Sequence, residues 1–348
     1  MENIRLTLNG FKCYSEASFD LNNLTLLTGA NSSGKSSIIQ ALLLLHTLAT
    51  QPTRPIAEVL NNKEYALELG EVFDIVYQHA ADTVTLTIGG ISVSLTDSSS
   101  QADITDPEAL TPLFANHMHF LCAERLGPRL EVKRIDIKDC FCGCHGQYTA
   151  EVIDNNTFTD IAPQRTLDGE EVKLRIALDS WINLIFPGTD IRINHNGDNL
   201  QPIIRSNHSP IQSKAPNVGF GISYALPIIV SGLLAREGDW LVIENPEAHL
   251  HAKAQSNMGY FLAQMAEEGV RVVAETHSEH VANGIRRFIT TTRLLRPEDA
   301  TIYFLPDSID NTPLKITIDS DGNLSDFPVD FFDQSRQDML AIINATSK

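Results

Sequence analysis

This sequence has little that would place it in or across a membrane. None of its apolar runs approaches the ~18 to 20 residues that a bilayer-spanning helix needs, although 43% of the 348 residues are hydrophobic. The opening Met1-Glu2-Asn3-Ile4-Arg5 lacks the basic-then-apolar layout of a secretory signal, so a cytoplasmic location is expected. Basic residues are scarce: 26 Lys and Arg stand against 44 Asp and Glu, a formal net charge of −18. That balance disfavours the broad phosphate-binding face that nucleic-acid-binding proteins carry. Basic residues do run together at Arg125, Arg129, Lys133, Arg134 and Lys138, and again at Arg286, Arg287, Arg293 and Arg296. Both runs are expected to be solvated faces.

The cysteines, Cys13, Cys122, Cys140, Cys142 and Cys144, are odd in number and do not suggest a disulfide framework. Cys140-x-Cys142-x-Cys144-His145 is locally suggestive of zinc. Structural zinc sites, however, usually pair C-x₂₋₄-C with a distant second pair, and no second pair exists here. Reduced thiols in a glycine-containing loop are the expected state. Internal repeats and heptad runs of three or more turns are also missing.

What is present is concentrated at residues 29–37, Gly-Ala-Asn-Ser-Ser-Gly-Lys-Ser-Ser, a complete G-x-x-x-x-G-K-S phosphate loop. A short apolar, β-prone run (residues 24–28) precedes it, and residues 38–45 follow as a helix without Gly or Pro. Strand, glycine loop and helix are the context this motif requires. Gly29 and Gly34 let the backbone wrap around phosphate oxygens, with Asn31, Ser32, Ser33 and Ser37 completing the loop. Lys35 is placed to reach the β- and γ-phosphates, and the Ser36 hydroxyl to ligate Mg²⁺. A nucleoside triphosphate, taken as ATP with Mg²⁺, is the expected cofactor.

Around the loop, period-2 patterning predicts strands at residues 4–8 and 17–21. The helix after the loop closes near Ala49, before Pro52 and Pro55. Residues 65–95 favour strands, including a hairpin of 84–88 and 91–95 around Gly89-Gly90, and the polar stretch 97–111 reads as a flexible loop. Residues 114–122 form a buried strand that delivers Glu124-Arg125-Leu126-Gly127-Pro128-Arg129 to its end. A helix at 174–186 stops at Pro187-Gly188, and a hairpin flanks Asn196-Gly197-Asp198. From Asn217 the texture becomes regular alternation: helices near 222–236, 253–268 and 279–290, with strands at 240–244 and 271–276 between them. Late strands at 301–305 and 314–318 and a helix at 334–343 follow. This rhythm predicts an α/β fold with a parallel sheet and helices on both faces.

Leu241-Val242-Ile243-Glu244 is an apolar strand ending in a carboxylate, the form of a Walker B element, which puts Glu244 opposite Ser36 as the second Mg²⁺ group. Asn245-Pro246-Glu247-Ala248-His249-Leu250-His251 follows at once. These residues resemble the strand and turn of ABC-type ATPases of the SMC, RecF and overcoming-lysogenization-defect group. Gly10-Phe11-Lys12-Cys13-Tyr14 with the phosphate loop is similar to that group's opening, and Val218-Gly219-Phe220-Gly221-Ile222-Ser223 to its degenerate signature loop. Thr276-His277-Ser278 resembles its switch-histidine element. The strings ERLGPR, ENPEAHLH and ETHS also resemble a compact bacterial subgroup with relatives in anti-phage defence.

The resemblance implies an ABC-ATPase head: a mixed, largely parallel sheet, a β-rich N-terminal lobe and an inserted α+β lid. Residues 1–348 then form one domain, with 50–216 as the insertion. It further implies a homodimer closed head to tail around two nucleotides, in which Gly219 and Gly221 approach the γ-phosphate of the facing copy and His277 contacts that phosphate or the attacking water. One departure bears on chemistry. Asn245 occupies the position that usually holds the Glu that activates water, and an amide cannot accept a proton at neutral pH. Glu247 is the nearest substitute, so Glu247, His277 and Asn245 are the catalytic candidates, with slow turnover expected. Gln78 is the only candidate raised for a Mg²⁺-sensing glutamine.

The leading reading is an ATPase whose pairing switches a protein effector, such as a nuclease in a defence system, because no nuclease-like acidic cluster follows the ATPase motifs. A RecF-like DNA clamp is the alternative; acidity and the lack of coiled-coil arms weigh against it. A transporter ATPase would need a membrane partner and fits the degenerate signature poorly.

Overall fold

In a computed structural model, residues 3–79, 82–114, 117–137, 140–206, 209–214, 219–307 and 312–346 are described. The chain opens with β1 (Ile4–Phe11) and β2 (Tyr14–Leu21), then enters β3 (Leu24–Gly29), which leads through the glycine loop into α1 (Lys35–Thr50). β4 (Thr83–Ile88), β5 (Ile91–Thr96) and β6 (Asp103–Ile104) come next, followed by β7 (Met118–Leu121). After α2 (Thr149–Asn156) and α3 (Leu174–Ile185) stand three antiparallel strands, β8 (Thr189–Asn196), β9 (Asn199–Ser206) and β10 (Ser209–Lys214). The alternating portion is α4 (Phe220–Leu234), β11 (Trp240–Glu244), α5 (Ala252–Glu267), β12 (Arg271–Glu275) and α6 (Glu279–Thr292). β13 (Ala300–Leu305), β14 (Leu314–Thr317) and α7 (Gln334–Thr346) complete it.

The central sheet has the order β14-β13-β3-β12-β11-β7, parallel throughout except for the antiparallel β13–β14 pair. Successive side chains of a strand face opposite sides, and here both sides are apolar. Leu24, Leu26, Leu241, Ile243, Val272, Ala274, Ile302 and Phe304 join one core with α3 to α6. Their neighbours Leu27, Trp240, Val242, Val273, Tyr303 and Leu305 join the other, with α1 and the N-terminal lobe. That lobe is a second sheet, β2-β1-β4-β5-β6, folded over α1. A parallel sheet covered on both faces explains why its strands read as unbroken apolar runs. Ligands in such sheets bind beyond the carboxyl ends of the strands. The ends of β3, β12 and β11, carrying Gly29, Glu275 and Glu244, lie side by side along that edge.

Three expectations are corrected. Residues 97–111 are not one loose loop: β6 pairs with β5, and a helix starts at Pro107 where Asp106 Oδ1 accepts the Ala109 N–H at 2.9 Å. An N-cap aspartate before a proline at the first helical position explains that start. In the region 65–95 expected to favour strands, the first part instead carries short helical turns at 63–65, 72–75 and 77–79. The strand expected at 114–122 narrows to Met118–Leu121, with 115–116 outside the described residues.

Candidate functional site

The phosphate loop is shaped by its backbone. Gly29 has φ 137°, and a Cβ there would lie 2.1 Å from the Leu305 carbonyl oxygen, because β13 pairs with β3 at that residue. Only glycine fits. α1 begins at Gly34 with no side-chain cap and no acidic residue in its first turn. Its free N–H groups are thus left for an anion. Asn31, Ser32, Gly34, Lys35, Ser36 and Ser37 line one cleft with Lys12, Cys13, Gln40 and Glu275. Ser33 is buried behind them, and its hydroxyl has no partner. Lys35 is buried, its Nζ donating to the carbonyls of Gly29 at 3.2 Å and Ala30 at 2.6 Å. Burial pulls this amine below the ordinary lysine value, and Glu275 opposes that shift. Lys12, whose Nζ donates to Gln40 Oε1 at 2.6 Å, is a second cation at the cleft that motif reading did not assign.

Two carboxylates stand in register on adjacent strands, Glu244 opposite Glu275. Glu275 Oε2 accepts the Ser36 hydroxyl at 2.9 Å, and its Oε1 lies 3.9 Å from Lys35 Nζ. Glu244 Oε2 instead accepts the Ala123 N–H at 2.9 Å. Both acids are raised, first by burial; Glu275 is raised further by Glu244, and Lys35 and Ser36 oppose it. A hydroxyl bonded to a carboxylate, with a second acid on the adjacent strand, is a hard oxygen-donor environment, which fits Mg²⁺.

Arg125 corrects the expectation of a solvated basic run. It is buried, with Nη1 donating to the carbonyls of Cys122 at 2.9 Å and Glu244 at 2.6 Å, and Nη2 to Asn245 at 2.6 Å. Its guanidinium also lies 5.3 Å from the Tyr224 ring centre on α4. Burial lowers its pKa to about 10, so it remains charged at neutral pH. Arg134 pairs with Asp136, while Arg287 donates to Asn257 and lies over Tyr260. Lys138 lies outside the described residues.

The turn after β11 is held from several sides. Asn245 sits at φ 47°, a conformation Asn tolerates better than most side chains. Its N–H donates to the Glu275 carbonyl at 2.9 Å, while its buried Oδ1 has no partner. Glu247 is fully engaged: Oε2 accepts Thr276 Oγ1 at 2.6 Å and Oε1 accepts the His277 N–H at 2.8 Å. It therefore fixes the turn that carries His277. The exposed His277 lines a cavity with Thr28, Gly29 and Ala30, at the foot of the phosphate loop.

Gly219 and Gly221 are not among the residues lining their own chain's phosphate-loop cleft. They start α4, where a Cβ on Gly221 would meet the His249 carbonyl oxygen at 2.7 Å, while the space around Gly219 is open. Val218 lies outside the described residues. Gln78 is exposed, donates to Tyr77 Oη at 2.8 Å, and does not line the cleft. Cys142 and Cys144 are buried in opposite cores, all five cysteines are free thiols, and no group of three metal-binding side chains occurs among the described residues.

The fold and this edge define a P-loop ATPase head. An AAA domain model matches residues 5–110, an AAA ATPase domain model residues 151–282, and a model described as protein of unknown function (DUF3696) residues 295–342. The solved SMC head bound to the C-winged helix domain of ScpA aligns with TM-score 0.57 at 13% identity, over 92% of this chain and 98% of that one. An SMC head with an extended coiled coil bound to the C-terminal domain of ScpA, from Pyrococcus furiosus, aligns with TM-score 0.52 at 10% identity, over 99% of both chains. No curated protein matches. In sequence the chain is thus similar to AAA ATPase domains, and its fold is that of SMC heads. No helix of the described residues is long and apolar enough to cross a membrane.

Proposed function

We propose that this protein binds ATP with Mg²⁺ at residues 29–37, hydrolyses it slowly, and pairs head to tail with a second copy around the nucleotide. The paired state switches a protein effector, for which a nuclease in an anti-phage system is the leading candidate. The observation that carries this reading is one cleft holding Lys35, Ser36 and Glu275 beside free helix N–H groups, with Gly219 and Gly221 absent from it. A signature turn that does not serve its own chain's cleft is free to serve a facing one. Phe220, 53% exposed between those glycines, adds apolar surface to that face. Light scattering of the purified chain with and without ATP–Mg²⁺ tests it; a mass unchanged by nucleotide would sink the switch.

When bound, Mg²⁺ supplies charge neutralisation on the β- and γ-phosphates. Ser36 and a strand-end carboxylate would hold it, Lys35 would reach the phosphates, and His277 would face the γ-phosphate from its turn. Asn245 offers a hydrogen-bond acceptor to water but no proton acceptor. Glu247 supports the His277 turn and is the carboxylate we assign as base in place of the missing Glu. Turnover is therefore expected below the ~10 s⁻¹ median of enzymes. Combining Glu247→Gln with Asn245→Ala should lower it further, by on the order of 10²-fold. Steady-state phosphate release checks both, and a double variant as fast as wild type would remove these residues from the mechanism. A DNA clamp is not favoured, since Arg125, Arg134 and Arg287 are spent on internal partners.

A further inference from the structure

Walker B logic assigns the cation-holding acid to Glu244, but strand order argues otherwise. β12 lies between β3 and β11, and strands are spaced by about 4.8 Å, so Glu244 starts two spacings from the strand that feeds the phosphate loop and Glu275 only one. The side chains agree. Ser36 Oγ donates to Glu275 Oε2 at 2.9 Å, and Glu275 is the single acid among the described residues lining the cleft. Glu244 is turned to the other side, where its Oε2 accepts the Ala123 N–H at 2.9 Å.

We propose that Glu275, and not Glu244, is the carboxylate that holds the divalent cation together with Ser36. Glu244 stands one strand behind, in register, as a charge that favours the cation without touching it. The Ser36 hydroxyl and the Glu275 carboxylate already lie within hydrogen-bond distance, so both would hold the cation. The hydrogen bond thus pre-positions both donors. Lys35 lies 3.9 Å from Glu275, and a cation held by that acid would leave the Lys35 ammonium to the phosphate. This assignment rests on the nucleotide site proposed above.

The test is titration of the full chain with a fluorescent N-methylanthraniloyl-ATP, in Mg²⁺ and in EDTA. Wild type should bind at least about tenfold more tightly with Mg²⁺, equivalent to ~1.4 kcal/mol. Glu275→Gln should bind as well as wild type in EDTA, or better because a negative charge is gone, yet gain less than about threefold from Mg²⁺. Glu244→Gln should keep most of the Mg²⁺ gain. Binding in EDTA reports that each variant is folded. If Glu275→Gln is unfolded, Glu275→Asp, with its carboxylate set back by one methylene, should show a reduced Mg²⁺ gain. A full Mg²⁺ gain in the Glu275 variant, or its loss in Glu244→Gln alone, overturns the assignment. Wild type that binds no nucleotide in either condition would instead overturn the nucleotide site itself.

Discussion

Lys35→Ala is expected to abolish nucleotide-driven pairing and to weaken ATP binding by at least about 100-fold. Lys35 is buried and already donates to two loop carbonyls, so its ammonium is held at the foot of the loop. Hydrogen bonds to a charged group contribute about 1.5–3 kcal/mol each, and two such bonds to phosphate oxygens exceed the ~2.7 kcal/mol that 100-fold represents. The substitution also leaves Glu275 facing the triphosphate without its nearest cation, adding repulsion. The cost to the fold should be small, since burial already disfavours the charged amine. Calorimetry gives the affinity, and light scattering the pairing. A variant that still dimerises when ATP is added would show that the phosphate loop is not the switch.

The second large effect is on the fold. Arg125→Met keeps the length of the side chain but removes donors to the carbonyls of Cys122, Glu244 and Asn245. Leaving buried carbonyls unpaired costs about 1–3 kcal/mol each, and some relax toward water, so a net loss of about 3–5 kcal/mol is expected. In a chain of this size that is on the order of 4–7 °C in melting temperature. Activity should fall even where the variant remains folded. Arg125 fixes the left-handed turn at Asn245, and through Tyr224 it touches the helix that starts at Phe220. Arg129→Met, four residues on and exposed, is the control and should melt within about 0.5 kcal/mol of wild type. Equal melting of the two variants would mean that the turn is held by other contacts.

Arg125 and Glu275 show where sequence reading stopped. Arg125 sits in a basic run, and charge runs normally face water. Its burial follows from three carbonyls at the ends of β7 and β11, which become neighbours only when those strands pair. Glu275 has a signal in the sequence. The apolar run of residues 272–274 ends in a carboxylate just as residues 241–243 do, directly before Thr276-His277-Ser278. Glu247 is a spare carboxylate by its position in the sequence, but its bonds to Thr276 and His277 join segments about thirty residues apart, which no spacing rule reveals. The helix at 107–113 was legible in principle from Asp106-Pro107, had the capping pair been weighed above the polar composition.

The amino-acid order alone determined the phosphate loop, the apolar strands and the helices that follow them. Each of these depends on neighbours within one or two turns of chain: glycine's freedom at residue 29, period-2 burial, and the absence of helix breakers after Lys35. Tertiary structure decided which acid meets Ser36. That depends on β12 being inserted between β3 and β11, a choice made by packing two apolar sheet faces across more than 200 residues of sequence. Local chemistry specifies a site's parts, whereas strand order sets the distances between them, and electrostatics at a few ångströms responds to those distances.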